Sequence, residues 1–336
     1  MKRMKILIVG LGSIGERHLR NLLHLGLKDI SVFRRSVRNP RTLVGNEFKT
    51  FTNWQSALDD EPGAVIITNP TALHVPFSID AAKRGAHLFI EKPLSNSLNR
   101  VEELRELIHQ NHLVSLIGHN LRFHPCLQKV KEIVEAGILG QPLSVRAEFG
   151  QYLPDFHPWE DYRQGYAARK ELGGGALFTN THEVDYLYWL FGPVKKVSCI
   201  AKKLSALEID AEDTAVLTLE HDSGVLSEVH LDFIQRTYSR SLQIIGSEGT
   251  LRWDFLTNKV SYFSAATKSW VDALYMPQFD FNNTYIEEIA HFIRCTEGAN
   301  VPINDIDQGI DILKISLAAH QSSTEARVTE IKEMHS

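Results

Sequence analysis

Gly10-Leu11-Gly12-Ser13-Ile14-Gly15 is the segment that sets the architecture. It follows the apolar run Lys5-Ile6-Leu7-Ile8-Val9 and precedes residues 13–25, where Gly15, Leu19, Leu22 and Leu23 share one face at the helical period. A strand, a glycine turn and a helix in that order make a cradle for a dinucleotide pyrophosphate. Gly10 permits the tight turn, Gly12 lets the backbone approach the diphosphate, and Gly15 lets the helix lie close on the strand. Ser13 and Ile14 then stand in the first helical turn, where unpaired N–H groups and the helix dipole favour an anion.

Downstream, the apolar runs ISVF (30–33), AVIIT (64–68), HLFIE (87–91) and LVSLIG (113–118) alternate with amphipathic segments. That alternation predicts a parallel sheet covered on both faces, a Rossmann domain over residues 1–120. Beyond it the texture changes. A helix is expected at 125–136, a strand at 143–149, a long aromatic and charged loop at 152–172, and a glycine hinge, Gly173-Gly174-Gly175, leading into one helix that ends at Leu190. Extended segments at 194–201, 214–220, 224–232, 241–245, 250–254 and 260–263 follow, separated by turn signals, and helices at 285–297 and 307–322 close the chain. The expected class is therefore α/β: an N-terminal Rossmann parallel sheet plus a C-terminal α+β domain, residues 121–336, with a large open, mostly antiparallel or mixed sheet.

Length and composition agree with two domains. The chain has 336 residues, more than one hydrophobic core usually serves, and is 43% apolar and 23% charged, as ordinary globular proteins are. No apolar run reaches the length of a membrane span. The formal charge of −5 gives no general basic footprint, so neither nucleic acid nor a membrane is an expected partner. Cys126, Cys199 and Cys295 lie far apart with no C-x-x-C, which fits a reducing cytoplasm and argues against a zinc cluster. His182-Glu183-Val184-Asp185 lacks a zinc spacing, and no metal is expected.

Turns that prefer NAD place an acidic residue about 20 positions on, against the ribose 2′-hydroxyl. Here the second strand ends Phe33-Arg34-Arg35-Ser36. A guanidinium matches a 2′-phosphate, so NADP is the expected cofactor, with NAD as the alternative and a solvated basic strand end as the plainer account. Ligands of open parallel sheets bind beyond the carboxyl ends of the strands. Three such ends carry polar turns: Asn69, Pro70 and His74 in NPTALH, Glu91 and Lys92 in EKP, and Arg122 and His124 in GHNLRFHP.

With GLGSIG, EKP, GHNLRFHP and GGGALFTNTHEVDYLYWLFG, the sequence resembles the glucose–fructose oxidoreductase, inositol dehydrogenase and rhizopine-catabolism family, Gfo/Idh/MocA, over nearly its whole length. The resemblance implies an oxidoreductase acting with NAD(P) on a sugar, cyclitol, sugar acid or nucleotide sugar, and a homo-oligomer, dimer or tetramer, formed through the C-terminal sheet. It implies that Lys92 is catalytic, positioned by Glu91 and Pro93, and that His182 acts beside it. Many relatives carry aspartate where Thr179 stands, and threonine supplies no charge. That departure leaves two alternatives open, a cofactor-binding sensor and a redox-neutral enzyme that retains its nicotinamide.

On the substrate side, Tyr152, Trp159 and Arg163 in the long loop, with Arg122, His124 and Thr179, are the expected contacts. The loop aromatics either pack on a sugar ring or simply cover the second domain. The arginines tilt the expected substrate toward an anionic sugar or nucleotide sugar over a free neutral hexose.

Overall fold

The computed structural model describes residues 4–35 and 48–334. The chain divides into two compact units: residues through Asn120 together with Asn282–Ile310, and Leu121–Phe281 together with the segment from Asp311. The first unit thus takes in a late helical segment that the sequence pattern placed with the second half.

In the first unit the apolar runs become β1 (Ile6–Val9), β2 (Ile30–Phe33), β3 (Lys49–Phe51), β4 (Ala64–Ile67), β5 (His87–Glu91) and β6 (Ser115–Gly118), with α1 (Ser13–His24), α2 (Trp54–Leu58), α3 (His74–Lys83) and α4 (Val101–Gln110) between them. The strand order β3-β2-β1-β4-β5-β6 is parallel throughout. This is the doubly wound arrangement, and it puts the residues after β1, β4 and β5 at one edge of the sheet. Every residue of β1, β2 and β4 is buried, as a sheet covered on both faces requires. Helix α8 (Asn282–Thr296), though remote in sequence, joins this core through Ile289 and Phe292, with Phe292 edge-on to Phe89 at 5.7 Å.

In the second unit, α5 (Pro125–Glu135), β7 (Pro142–Gly150), α6 (Ala176–Thr179) and α7 (His182–Phe191) precede seven strands. These are β8 (Val194–Lys202), β9 (Thr214–His221), β10 (Leu226–Asp232), β11 (Ser239–Gly246), β12 (Gly249–Asp254), β13 (Lys259–Ser264) and β14 (Ser269–Tyr275). Helix α9 (Ile306–Glu325) and the short β15 (Thr329–Glu330) complete the chain. The nine strands run β14-β13-β12-β11-β7-β10-β9-β8-β15, with β7 and β10 parallel and the remaining pairs antiparallel. The mixed sheet expected from the turn spacing is present. Burial alternates along β9 and β10, so one face is packed and the other carries Arg146, Glu148, Thr218, Glu228 and His230.

Candidate active site

The phosphate turn is built from backbone contacts. Gly10 has φ +97°, which a side chain would strain. A Cβ on Gly15 would stand 2.3 Å from the Gly10 carbonyl oxygen and 2.8 Å from Thr68 Oγ1, so no larger residue fits there. The Thr68 hydroxyl lies 2.9 Å from that same carbonyl, tying the turn to the end of β4. Gly12, by contrast, faces open space, and no side chain caps the N-terminus of α1 that begins at Ser13. Its first N–H groups therefore keep their capacity for an anion. Beside them the Asn69 side chain has its amide nitrogen and oxygen both buried without a partner among the described residues. An open turn, an uncapped helix and an unanswered amide fit a dinucleotide diphosphate.

At the end of β2, the Arg34 amide donates to the Phe51 carbonyl at 3.0 Å and its side chain is half-buried, whereas Arg35 is exposed. Ser36 lies outside the described residues. Two arginines but no carboxylate close this strand.

Lys92 follows β5 at the same sheet edge and its bond to Pro93 is cis. Its amide donates to Glu91 Oε2 at 3.2 Å, and Glu91 Oε1 lies 2.7 Å from Nε2 of His18 in α1. Burial raises the Glu91 carboxyl, but the His18 hydrogen bond and the nearby Lys92 and His74 outweigh it, so its pKa stays below the usual range. His74, at the start of α3, places Nδ1 2.9 Å from the Pro93 carbonyl and Nε2 2.8 Å from the Asn69 carbonyl. Burial lowers its pKa, against the pull of those carbonyls. His74 thus clips the turn after β4 to the turn after β5, and its ring is a brace for Asn69 and Lys92. Pro70, also expected to line the cofactor, is exposed between them.

The single helix expected after the glycine hinge is broken. Helix α6 stops at Thr179 and α7 starts at His182, with Asn180 at φ −107°, ψ 55° between them. Thr179-Asn180-Thr181 explains the break, because short polar side chains compete for backbone hydrogen bonds and favour caps over helix interiors. Thr179 and His182 are both buried within the second unit.

Two residues expected at the substrate have other tasks. Arg122 is fully buried, donating through Nε to both Asp185 oxygens at 3.1 Å and through Nη2 to Oδ1 at 2.8 Å. Asp185 therefore faces Arg122, a partner that spacing along the helix could not reveal. His124 caps α5, its Nδ1 accepting from the Cys126 amide at 3.2 Å. Its ring sits among Trp253, Phe255, Phe279 and Phe281. Burial pushes its pKa down to about 4, so the ring is neutral at pH 7.

In the long loop, Trp159 is 58% exposed and Tyr152 stacks under Arg236, whose guanidinium lies 3.7 Å from the ring centre. Arg163 donates to Asp161 at 2.8 Å and to Glu208 at 2.7 Å. The guanidinium that suggested an anionic substrate already faces two carboxylates.

Residues 4–119 match the model of an oxidoreductase family with an NAD-binding Rossmann fold, and residues 127–252 match the GFO/IDH/MocA C-terminal domain. The chain is 28% identical to myo-inositol 2-dehydrogenase of Thermotoga maritima, over 98% of this chain and 99% of the relative. It is 26% identical to scyllo-inositol 2-dehydrogenase (NAD(+)) of Bacillus subtilis, over 95% and 94%. Among solved structures, the oxidoreductase domain protein of Kribbella flavida shares the fold with a TM-score of 0.87 at 19% identity, over 98% and 100% of the two chains.

Removing one partner of a buried ion pair costs about 3 to 5 kcal/mol, because the other charge is stranded. Arg122→Met is expected to lower unfolding free energy by that amount in urea titrations, and adding Asp185→Leu is expected to recover most of it. A variant of unchanged stability with weakened substrate binding would return Arg122 to the substrate.

Proposed function

This chain belongs to the Gfo/Idh/MocA oxidoreductase family, and from that premise we propose that it moves hydride between a nicotinamide dinucleotide and a carbinol carbon of a neutral sugar or cyclitol. The observation that carries this reading is the sharing of one sheet edge by the phosphate turn after β1, Asn69 after β4 and Lys92 after β5. When bound, the nicotinamide supplies the hydride acceptor or donor. The protein's part is the proton. Lys92 Nζ, as the free amine, takes the hydroxyl proton when the carbinol is oxidised, and as ammonium returns it when the carbonyl is reduced. His182 is the second polar group in this scheme. Thr179 brings a hydroxyl to it where a carboxylate would have added charge.

The inositol dehydrogenases among the relatives support this substrate class. The arginines support it too, since Arg122 and Arg163 both face carboxylates of the protein. The dinucleotide in this proposal is NADP, on the strength of Arg34 and Arg35 at the end of β2, although one relative is named for NAD. A second copy of the chain is the proposed partner. On the unpacked face of the large sheet, Ile200 pairs in register with Val216, and both are exposed, as is Leu226 on β10, four residues from the His230 that pairs with Val216. The reducing cytoplasm is the proposed compartment, where buried, unpaired Cys126, Cys199 and Cys295 persist as thiols.

Lys92→Met is expected to lower turnover of a responsive polyol by about 10² to 10⁴, as loss of a general acid/base does, with dinucleotide affinity nearly unchanged. Turnover close to wild type would remove Lys92 from the reaction. Each charge-assisted hydrogen bond to the 2′-phosphate is worth about 1.5 to 3 kcal/mol, so calorimetry is expected to show NADP binding at least about tenfold tighter than NAD. The double variant Arg34→Ala, Arg35→Ala is expected to erase the difference. Equal affinities in the wild type would overturn the preference.

A further inference from the structure

Behind Lys92 stands a buried imidazole that neither the phosphate turn nor the proposed proton transfer uses. His18 has no exposed surface, and its Nδ1 has no hydrogen-bond partner among the described residues; because an ionised carboxylate only accepts, Nε2 is the donor to Glu91. The ring is fixed from two sides. Phe89 of β5 meets it edge-on at 4.9 Å and Tyr285 of α8 at 6.2 Å, with the Arg17 guanidinium 4.4 Å over Tyr285. The carboxylate is fitted as closely. Gly118 pairs with Glu91 across β5 and β6, and a Cβ there would stand 3.3 Å from the Glu91 carboxyl carbon. The charged and titratable groups set around Glu91 are thus His18 from α1, Lys92 from the turn after β5 and His74 from α3, with Arg17 and Tyr285 behind His18.

We propose that His18 is a positioning residue for Lys92: its imidazole holds Glu91, and Glu91 holds both the Lys92 backbone and the negative charge against which the ammonium is poised. The role rests on Lys92 being the acid/base group of the reaction above. The link runs from α1 through imidazole and carboxylate to the Lys92 amide, in two hydrogen bonds of 2.7 and 3.2 Å. Helix α1 is the same helix whose first turn forms the phosphate cradle, so one rigid element sets both the anion site and the lysine.

The lysine can be read without any substrate. Pulse acylation with acetic anhydride across the titration range of lysine, followed by peptide mass spectrometry, gives a pH midpoint for Lys92, with Lys83 as internal reference. An opposite charge within about 4 to 6 Å shifts such a midpoint by about 1 unit or more. Glu91→Gln is expected to lower the Lys92 midpoint by about that much, a roughly tenfold rise in acylation at fixed pH. His18→Phe is expected to shift it in the same direction, since a Glu91 stripped of its donor is no longer held in place beside Lys92. His18→Gln, which keeps an N–H donor, is expected to restore the wild-type midpoint. Midpoints in His18→Phe and Glu91→Gln that track Lys83 unchanged would overturn the proposal. If circular dichroism shows that His18→Phe does not fold, an unshifted Glu91→Gln midpoint overturns it alone. A shifted midpoint beside undiminished turnover in Lys92→Met would support the link while refuting the acid/base role. Lost turnover in Lys92→Met beside an unshifted midpoint would refute the link only.

Discussion

The contact between residue 15 and the carbonyl of Gly10 is the constraint on which the first unit depends. A Cβ at 2.3 Å from a backbone oxygen is impossible, and the oxygen cannot withdraw, because Thr68 holds it from the end of β4. Only glycine therefore lets α1 start where it does, with its uncapped N-terminus directly over the carboxyl edge of the sheet. The position of His18, one turn further along α1, follows from the same contact. So does its reach to Glu91, and through Glu91 the placement of Lys92. The proposed phosphate cradle and the proposed reactive amine are two ends of one short chain of contacts.

Most of the first unit was legible because its signals are local. Alternating apolar runs and one glycine turn specify strand, turn and helix without reference to anything distant, and all five strands expected there formed. The sequence pattern missed β3 and β15, whose three and two residues are too few to show a period, and β14, whose Ser269–Tyr275 lies mostly exposed at the sheet edge. It also placed α8 with the second half, since nothing in an amphipathic helix states which core receives it. His18 escaped notice for a related reason. It lies on the buried face of α1, and only the fold brings it to Glu91, 73 positions away.

The second unit shows where residue type misleads. Arginine and histidine beside a strand end look available for ligands, yet Arg122 is committed to Asp185 and His124 to capping α5 among aromatic rings. Arg240 and Glu183 form another buried pair at 2.9 Å, next to the His182 that the proposed reaction needs. Isolated buried charges are costly, so each buried arginine must find a carboxylate, and the sequence does not say which. The long loop repeats the lesson at the surface through Arg163. With these guanidiniums engaged, the substrate we propose is a neutral polyol ring, not an anionic one.

The most direct test is calorimetric titration of NADP into the wild-type protein and into Gly15→Ala, with folding of both verified by circular dichroism. Overpacking strain of about 1 to 3 kcal/mol would push α1 off the turn. The account predicts one dinucleotide per wild-type chain and an affinity at least about tenfold weaker in the variant. Equal affinity in the two proteins, or no binding to the wild type, would contradict it.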